Sequence, residues 1–207
     1  MSFHNYDNLS NLHKDVLKEI CNIGSGNAAS SISRMFGMPI KIEVPGIDII
    51  DINDAVEKLG GAETVKAGLL LPTMAELNGM LMFLFGHEFA GILIKTLMGT
   101  EISSLDQVDE MGISMLDEVS NIAAAAFVGS ISSMTGMSIN IGPPSSTVDM
   151  VGAIMNVPAV YFANISDKIL LIENRFNCGG TKADAHILLI PDMDSLKKLM
   201  TKLGVEI

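Results

Sequence analysis

The chain has 207 residues, of which 48% are hydrophobic and 18% charged, which is enough apolar material for one sizeable core or two small fused units. Its formal charge of −11 disfavours binding to nucleic acid or anionic lipid. No apolar run reaches the ~18 residues of a membrane span, and the polar start MSFHNYDNLSN lacks a signal-peptide pattern, so we expect a cytoplasmic protein without membrane insertion.

The first half of the chain predicts three helices and three strands. A long helix occupies about 10–36 and ends at Gly37, which is placed as a C-cap. The alternating pattern MPIKIEVP predicts a short strand closed by Pro45. Further elements follow in the order short helix, two strands and amphipathic helix, over 53–59, 64–71, 78–86 and 87–98.

The second half predicts the same elements in the same order. A long helix over about 107–136 ends at Gly136, and MSINIGPP again predicts a short strand closed by proline. A short helix, two strands and a last helix follow, over 149–155, 168–176, 183–190 and 192–203. Short turns between consecutive strands favour antiparallel pairing.

The two halves also share residues. Segment 19–40 and segment 118–139 are identical at ten of twenty-two positions without a gap. The sequence therefore predicts a single domain over 1–207 made of two repeats, about 10–99 and 107–204. We expect an α+β fold with approximate two-fold symmetry, a six-stranded mainly antiparallel sheet and two long helices that contain the repeated motif.

The repeated motif places polar and small residues on one side of each long helix. At 100° per residue, positions i, i+4, i+7 and i+11 fall within a sector of roughly 60°. In the first helix these positions are Asp15, Glu19, Asn22 and Gly26, and in the second they are Ser114, Glu118, Asn121 and Ala125. Beside the first set, an apolar stripe of Leu12, Val16, Ile20 and Ile23 is predicted to mark the buried side.

The run Gly24-Ser25-Gly26-Asn27 is not a phosphate-binding loop. The second copy has four alanines there, 123–126, and alanine is the best helix former. No lysine follows at the position that such a loop requires. We interpret the glycines as small residues within a helix that allow another backbone to approach.

The motif suits assisted hydrolysis better than nucleophilic attack. A carboxylate can pair with a partner's lysine or arginine, and an amide can orient a water without taking its proton. No adjacent histidine or lysine would activate either group, and the four histidines lack metal-ligand spacing. The alternative, a merely solvated helix face, is disfavoured because the same spacing occurs twice, each time with a proline twenty-three residues after the asparagine (Pro45 and Pro144).

The doubled pattern Asp/Ser-x-x-x-Glu-x-x-Asn with its later proline resembles the signature of the CheC/CheX/FliY phosphatases, and the length and the two motifs resemble the CheC type. The resemblance implies a chemotaxis phosphatase whose substrate is the aspartyl phosphate of a CheY-type response regulator. The alternatives are a non-catalytic adaptor that binds CheD or the regulator, and a flagellar-switch-associated component.

The resemblance also implies roles for the motif residues. Glu19 and Glu118 would pair with a lysine of the regulator, and Asn22 and Asn121 would position the attacking water. Docking would involve four further positions: Asp15, Ser114, Gly26 and Ala125. Pro45 and Pro144 would shape the strand beside each helix. The Mg²⁺ would belong to the regulator, so the chain needs no metal or cofactor of its own. A CheD-like deamidase is the second expected partner, and we expect a monomer because the duplication could replace a dimer.

Overall fold

A computed structural model describes residues 9–162, 168–178 and 181–205 and confirms the predicted α+β class. The helices in this part of the chain are α1 (Asn11–Phe36), α2 (Ile52–Lys58), α3 (His87–Met98), α4 (Glu110–Thr135), α5 (Val151–Phe162) and α6 (Met193–Lys202). The strands are β1 (Ile40–Asp51), β2 (Val65–Ala75), β3 (Gly79–Phe85), β4 (Ile139–Ile141), β5 (Ser145–Met150), β6 (Lys168–Cys178) and β7 (Thr181–Pro191).

The two long helices begin and end where local chemistry dictates. Ser10 caps α1 by accepting a hydrogen bond from the His13 N–H, and Asp109 caps α4 by accepting one from the Gly112 N–H at 2.8 Å. Both helices end at a glycine with positive φ, 63° at Gly37 and 69° at Gly136. The boundaries predicted for these two helices are therefore correct to within a few residues.

All strands pair antiparallel in one sheet of order β1-β6-β7-β3-β2-β4, with β5 also paired to β2. The first strand of each half pairs across the molecule, since β1 lies on β6 whereas β4 and β5 lie on β2. The described residues form seven strands rather than the predicted six. The extra strand arises because the sequence Gly-Pro-Pro at 142–144 interrupts what would otherwise be one edge strand.

The predicted closure of the first strand at Pro45 is wrong. Strand β1 passes through this residue and continues to Asp51, and its register against β6 shifts between Glu43 and Gly46. Proline lacks the N–H that would donate a hydrogen bond to the neighbouring strand. Because β1 is an edge strand, it tolerates the missing hydrogen bond, and its register shifts locally instead. In the other half, Pro144 lies in the gap between β4 and β5, so that strand does end.

The sheet has helices on both faces. Alternation along β3 sends Leu81, Phe83 and Phe85 to the core beneath α1, α3, α4 and α6, while Met80 and Met82 point to the core beneath α2 and α5. Helices α1 and α4 contact each other on the first face. This arrangement presents the outer sides of both motif helices to solvent.

By length and composition alone, α4 is long enough, and over an 18-residue window apolar enough, to cross a membrane. In that window, 44% of the residues are buried inside the fold, where α4 packs on α1 and the sheet. A core helix of this kind meets the same criterion without a membrane.

Candidate functional site

The first motif lies on the outer surface of α1. Asp15, Glu19, Asn22 and Gly26 are all exposed. Residues three and four apart on a helix have Cβ atoms roughly 5–6 Å apart, so the carboxylate of Glu19 and the amide of Asn22 form one polar patch. The prediction that these residues share an accessible helix side agrees with their placement, and they are not part of the core.

The second motif on α4 has the same arrangement with one difference. Ser114, Glu118 and Ala125 are exposed, whereas Asn121 is half-buried. The two asparagines therefore differ in how freely a partner can reach them. Pro45 and Pro144 lie at the edges of the sheet, in β1 and in the gap before β5.

The predicted buried stripe on α1 is partly wrong. Ile20 is buried and Val16 is half-buried, but Leu12 is 61% exposed and Ile23 is 38% exposed. The helix instead buries a neighbouring stripe that includes Leu17, Cys21, Gly24 and Ala28. Small residues dominate that stripe, so the side of α1 that packs on the sheet has little hydrophobic contrast with the rest.

Exposed apolar side chains flank both motifs as a result. On α1, Leu12 and Ile23 fall within about 40° of Glu19 around the helix axis. On α4, the position equivalent to Leu12 is Met111, which is 68% exposed. Sequence reasoning missed these residues as site components, although their apolar character in both halves was available as a signal.

The small residues of α1 have separate roles. A Cβ on Gly24 would lie 2.7 Å from Cδ2 of Phe127, so this glycine makes room for an aromatic ring of α4 rather than for the backbone we predicted. Apart from the neighbouring backbone of α1, no described atom lies within 4 Å of such a Cβ on Gly26, which borders open solvent. The interpretation of 24–27 as helix rather than phosphate loop is confirmed.

Two hydrogen bonds from α1, one on each side of Gly26, hold this helix in place, and a third supports one of them. The buried Ser25 hydroxyl donates to Asn174 Oδ1 on β6 at 3.1 Å, and Asn174 Nδ2 donates to the carbonyl oxygen of Ile172 at 3.0 Å. Asn27 Nδ2 donates to Ser130 Oγ on α4 at 2.6 Å. These contacts fix the axial rotation of α1, and hence the direction in which Glu19 and Asn22 point.

The residues between the motif acid and amide face inward. Cys21 is a free, buried thiol, and burial raises its pKa to about 12. Its counterpart Ser120 is also buried, and its Oγ has no hydrogen-bond partner within the described ranges. Neither group has access to a reacting partner, which leaves the chemistry to the exposed acid and amide.

The charges next to the two motifs differ. Lys14 and Lys18, both exposed, directly precede Asp15 and Glu19 on α1. On α4 the residue that precedes Glu118 is Asp117, whose Oδ2 accepts a hydrogen bond from Ser146 Oγ at 3.3 Å. The second site is therefore more acidic than the first. Over 9–162, 168–178 and 181–205, no group of three or more histidine, cysteine, aspartate or glutamate side chains could hold a metal ion.

Comparison with known proteins agrees with the resemblance predicted from the motif. Residues 12–49 match the sequence model of the CheC-like family, a span that contains the first motif and Pro45. The chain is 25% identical over 197 residues to the CheY-P phosphatase CheC of Bacillus subtilis (strain 168), an alignment that covers 93% of this chain and 94% of that protein. The predicted resemblance to CheC-type proteins is thus confirmed along nearly the whole chain.

Solved structures share the fold. FliY of Thermotoga maritima superposes with a TM-score of 0.78 at 21% identity and covers 95% of this chain and 98% of its own. The FliM middle domain from H. pylori has a TM-score of 0.70 at 13% identity, over 94% and 99% of the two chains. At these identities the likeness establishes the architecture alone, and one architecture supports several functions.

Proposed function

We propose that this chain is a phosphatase that accelerates hydrolysis of the aspartyl phosphate on a CheY-type response regulator in chemotaxis. The observation that supports this most directly is the paired placement of a glutamate and an asparagine on the outer side of two equivalent helices, where a partner protein can reach them. The similarity to a protein named CheY-P phosphatase supports the same substrate class.

Each site would work by docking and by orientation. Glu19 or Glu118 would pair with a lysine of the regulator and align the two proteins. The amide of Asn22 or Asn121, one helical turn away, would then hold a water in line with the acyl phosphate. Asp15 or Ser114 would contribute at the rim, and the small, exposed residues Gly26 and Ala125 would leave space for a loop of the regulator.

The regulator would supply the remaining chemistry. Its own Mg²⁺ would neutralise charge on the phosphoryl group, so that this chain would contribute no metal. A CheD-like deamidase is the second partner we propose, together with a monomeric state and a cytoplasmic location.

The test is phosphate release from a phosphorylated CheY-type regulator with and without this protein. In the double variant Asn22→Ala and Asn121→Ala, we expect the rate to fall to that of the regulator alone, because no group positions the water. Asn156→Ala is the matched control, since Asn156 is also exposed on a helix but lies on α5, away from the motifs. Full acceleration by the double variant, with an unchanged circular dichroism spectrum, would contradict the mechanism.

A second candidate is a non-catalytic adaptor or a flagellar-switch-associated component. The architecture shared with FliY and the FliM middle domain favours it. The same assay separates the two functions: an adaptor would bind the phosphorylated regulator without changing the rate of phosphate release, and Glu19→Gln with Glu118→Gln would weaken that binding.

A further inference from the structure

Strand β5 forms an edge of the sheet, and its outer side has no partner strand within the described part of the chain. The Val151 N–H donates to the Thr64 carbonyl at 2.8 Å, which sets the phase of the ladder with β2. Because antiparallel pairing alternates, the N–H and C=O groups of Ser146 and Val148 point away from β2. Within the residues that the structure describes, these groups have no backbone partner and form a short row of donors and acceptors.

The third outward N–H on this edge is already satisfied. The N–H of Met150 donates to Oδ1 of Asp149 at 2.7 Å, so the strand closes its own end. The free row is thereby limited to the part of β5 around Val148. An edge of this kind is a template for the addition of another strand.

The free edge of β5 lies along a groove of about 740 Å³. The opposite wall is the connection over 103–108, which contains a short 3-10 turn at Leu105–Gln107, and the first turns of α4. Five consecutive residues of β5, 146–150, line the groove. Because side chains of consecutive strand residues point to opposite faces, the edge of β5 borders the groove, and not only one face of the strand. Leu105 and Val108 supply apolar contact surface.

The charge of the groove selects among possible occupants. Asp106 and Asp149 line it, and none of the described residues that line it is a lysine or an arginine. A second copy of β5 would bring like charges together, which disfavours self-pairing. A segment with basic residues would gain attraction in addition to its backbone hydrogen bonds.

We propose that β5 and this groove bind an extended, lysine- or arginine-bearing segment of a partner protein by strand addition. Backbone hydrogen bonds from Ser146 and Val148 would provide affinity, and the acidic residues would provide selectivity. Among the described residues that line the groove, none belongs to either motif, so the groove would provide for a partner besides the regulator. One end of it is joined to α4 through the hydrogen bond between Ser146 and Asp117.

The probe is a fluorescent nine-residue peptide of alternating lysine and valine, added to the full chain and followed by anisotropy. We expect saturable binding and slower amide exchange at Ser146 and Val148. Methylating alternate backbone nitrogens of the peptide keeps its charge and should weaken binding at least about tenfold, since two or three hydrogen bonds are lost. A glutamate–valine peptide should not bind.

Two variants test the protein side. Val148→Pro removes an outward N–H at an edge position, where proline is tolerated, and should abolish binding without loss of the fold. Asp106→Asn removes one exposed charge and should weaken binding by about threefold. Equal binding of the methylated peptide, no binding of the lysine peptide, or a self-associated dimer that Val148→Pro dissociates would each overturn the proposal.

Discussion

The contact between Gly24 and Phe127 predicts that Gly24→Ala lowers the free energy of unfolding of the wild-type protein but raises that of the Phe127→Ala variant. Gly24 lies inside α1, where replacing glycine by alanine normally stabilises a helix by about 0.8–1 kcal/mol. Here the added Cβ would lie 2.7 Å from Cδ2 and 2.9 Å from Cε2 of Phe127, a ring that is 0% exposed. The ring has no solvent into which it can move.

The magnitude follows from these opposing terms. Overpacking a dense core costs about 1–3 kcal/mol, so Gly24→Ala should lower the free energy of unfolding by up to about 2 kcal/mol in spite of the helix gain. Phe127→Ala alone should cost about 3–5 kcal/mol because it leaves a cavity. Adding Gly24→Ala to Phe127→Ala should then stabilise by about 1 kcal/mol, since the clash is gone and the helix gain remains.

The assay is urea unfolding followed by far-ultraviolet circular dichroism on the four proteins of the double-mutant cycle. Gly129→Ala is the control: Gly129 is an exposed glycine of α4, and apart from the neighbouring helix backbone no described atom lies within 4 Å of an added Cβ. This substitution should stabilise by about 0.5–1 kcal/mol. If Gly24→Ala stabilises the wild-type background as much as Gly129→Ala does, the steric argument is refuted.

Two further predictions concern the motif helices. The double variant Leu12→Ser and Met111→Ser should raise the KM for the phosphorylated regulator about fivefold and leave kcat unchanged, because these exposed apolar side chains then no longer contribute to docking. Val160→Ser, on the exposed surface of α5, is the control. A fall in kcat would contradict a docking role. The raised pKa of Cys21 means that the unfolded chain loses its thiol proton near pH 9.0 whereas the native chain keeps it to about pH 12. The contribution of this thiol to the free energy of unfolding is therefore full below pH 9.0 and falls by about 1.4 kcal/mol per pH unit between pH 9.0 and about pH 12. In unfolding experiments at successive pH values, Cys21→Ala should lack this part of the pH dependence.

The sequence was most informative where structure is local. Helix hydrogen bonds join residues four apart, and caps lie within one turn, so the C-cap glycines Gly37 and Gly136 were enough to place the ends of α1 and α4. The motif depends on the same short-range geometry, which is why the common exposed side of Glu19 and Asn22 could be predicted without coordinates.

Strand order was beyond the sequence because it depends on contacts between distant segments. No local signal indicates that Ile40 lies opposite Cys178, or that β4 and β5 share β2 as a partner. The effect of Pro45 also depended on the position of its strand in the sheet. Because β1 is an edge strand, it continues past the proline with a shift in register, whereas a central strand would end there.

By itself, then, the sequence determined the two long helices, most strands and the spacing of the doubled acid–amide motif, because each rests on the geometry of a few consecutive residues. The tertiary structure decided which side of α1 is buried. The ring of Phe127 and the amide of Asn174, more than a hundred residues away, select a stripe of small residues whose low hydrophobic contrast could not identify it in advance. That choice leaves Leu12 and Ile23 in solvent beside Glu19, where a partner protein would meet them.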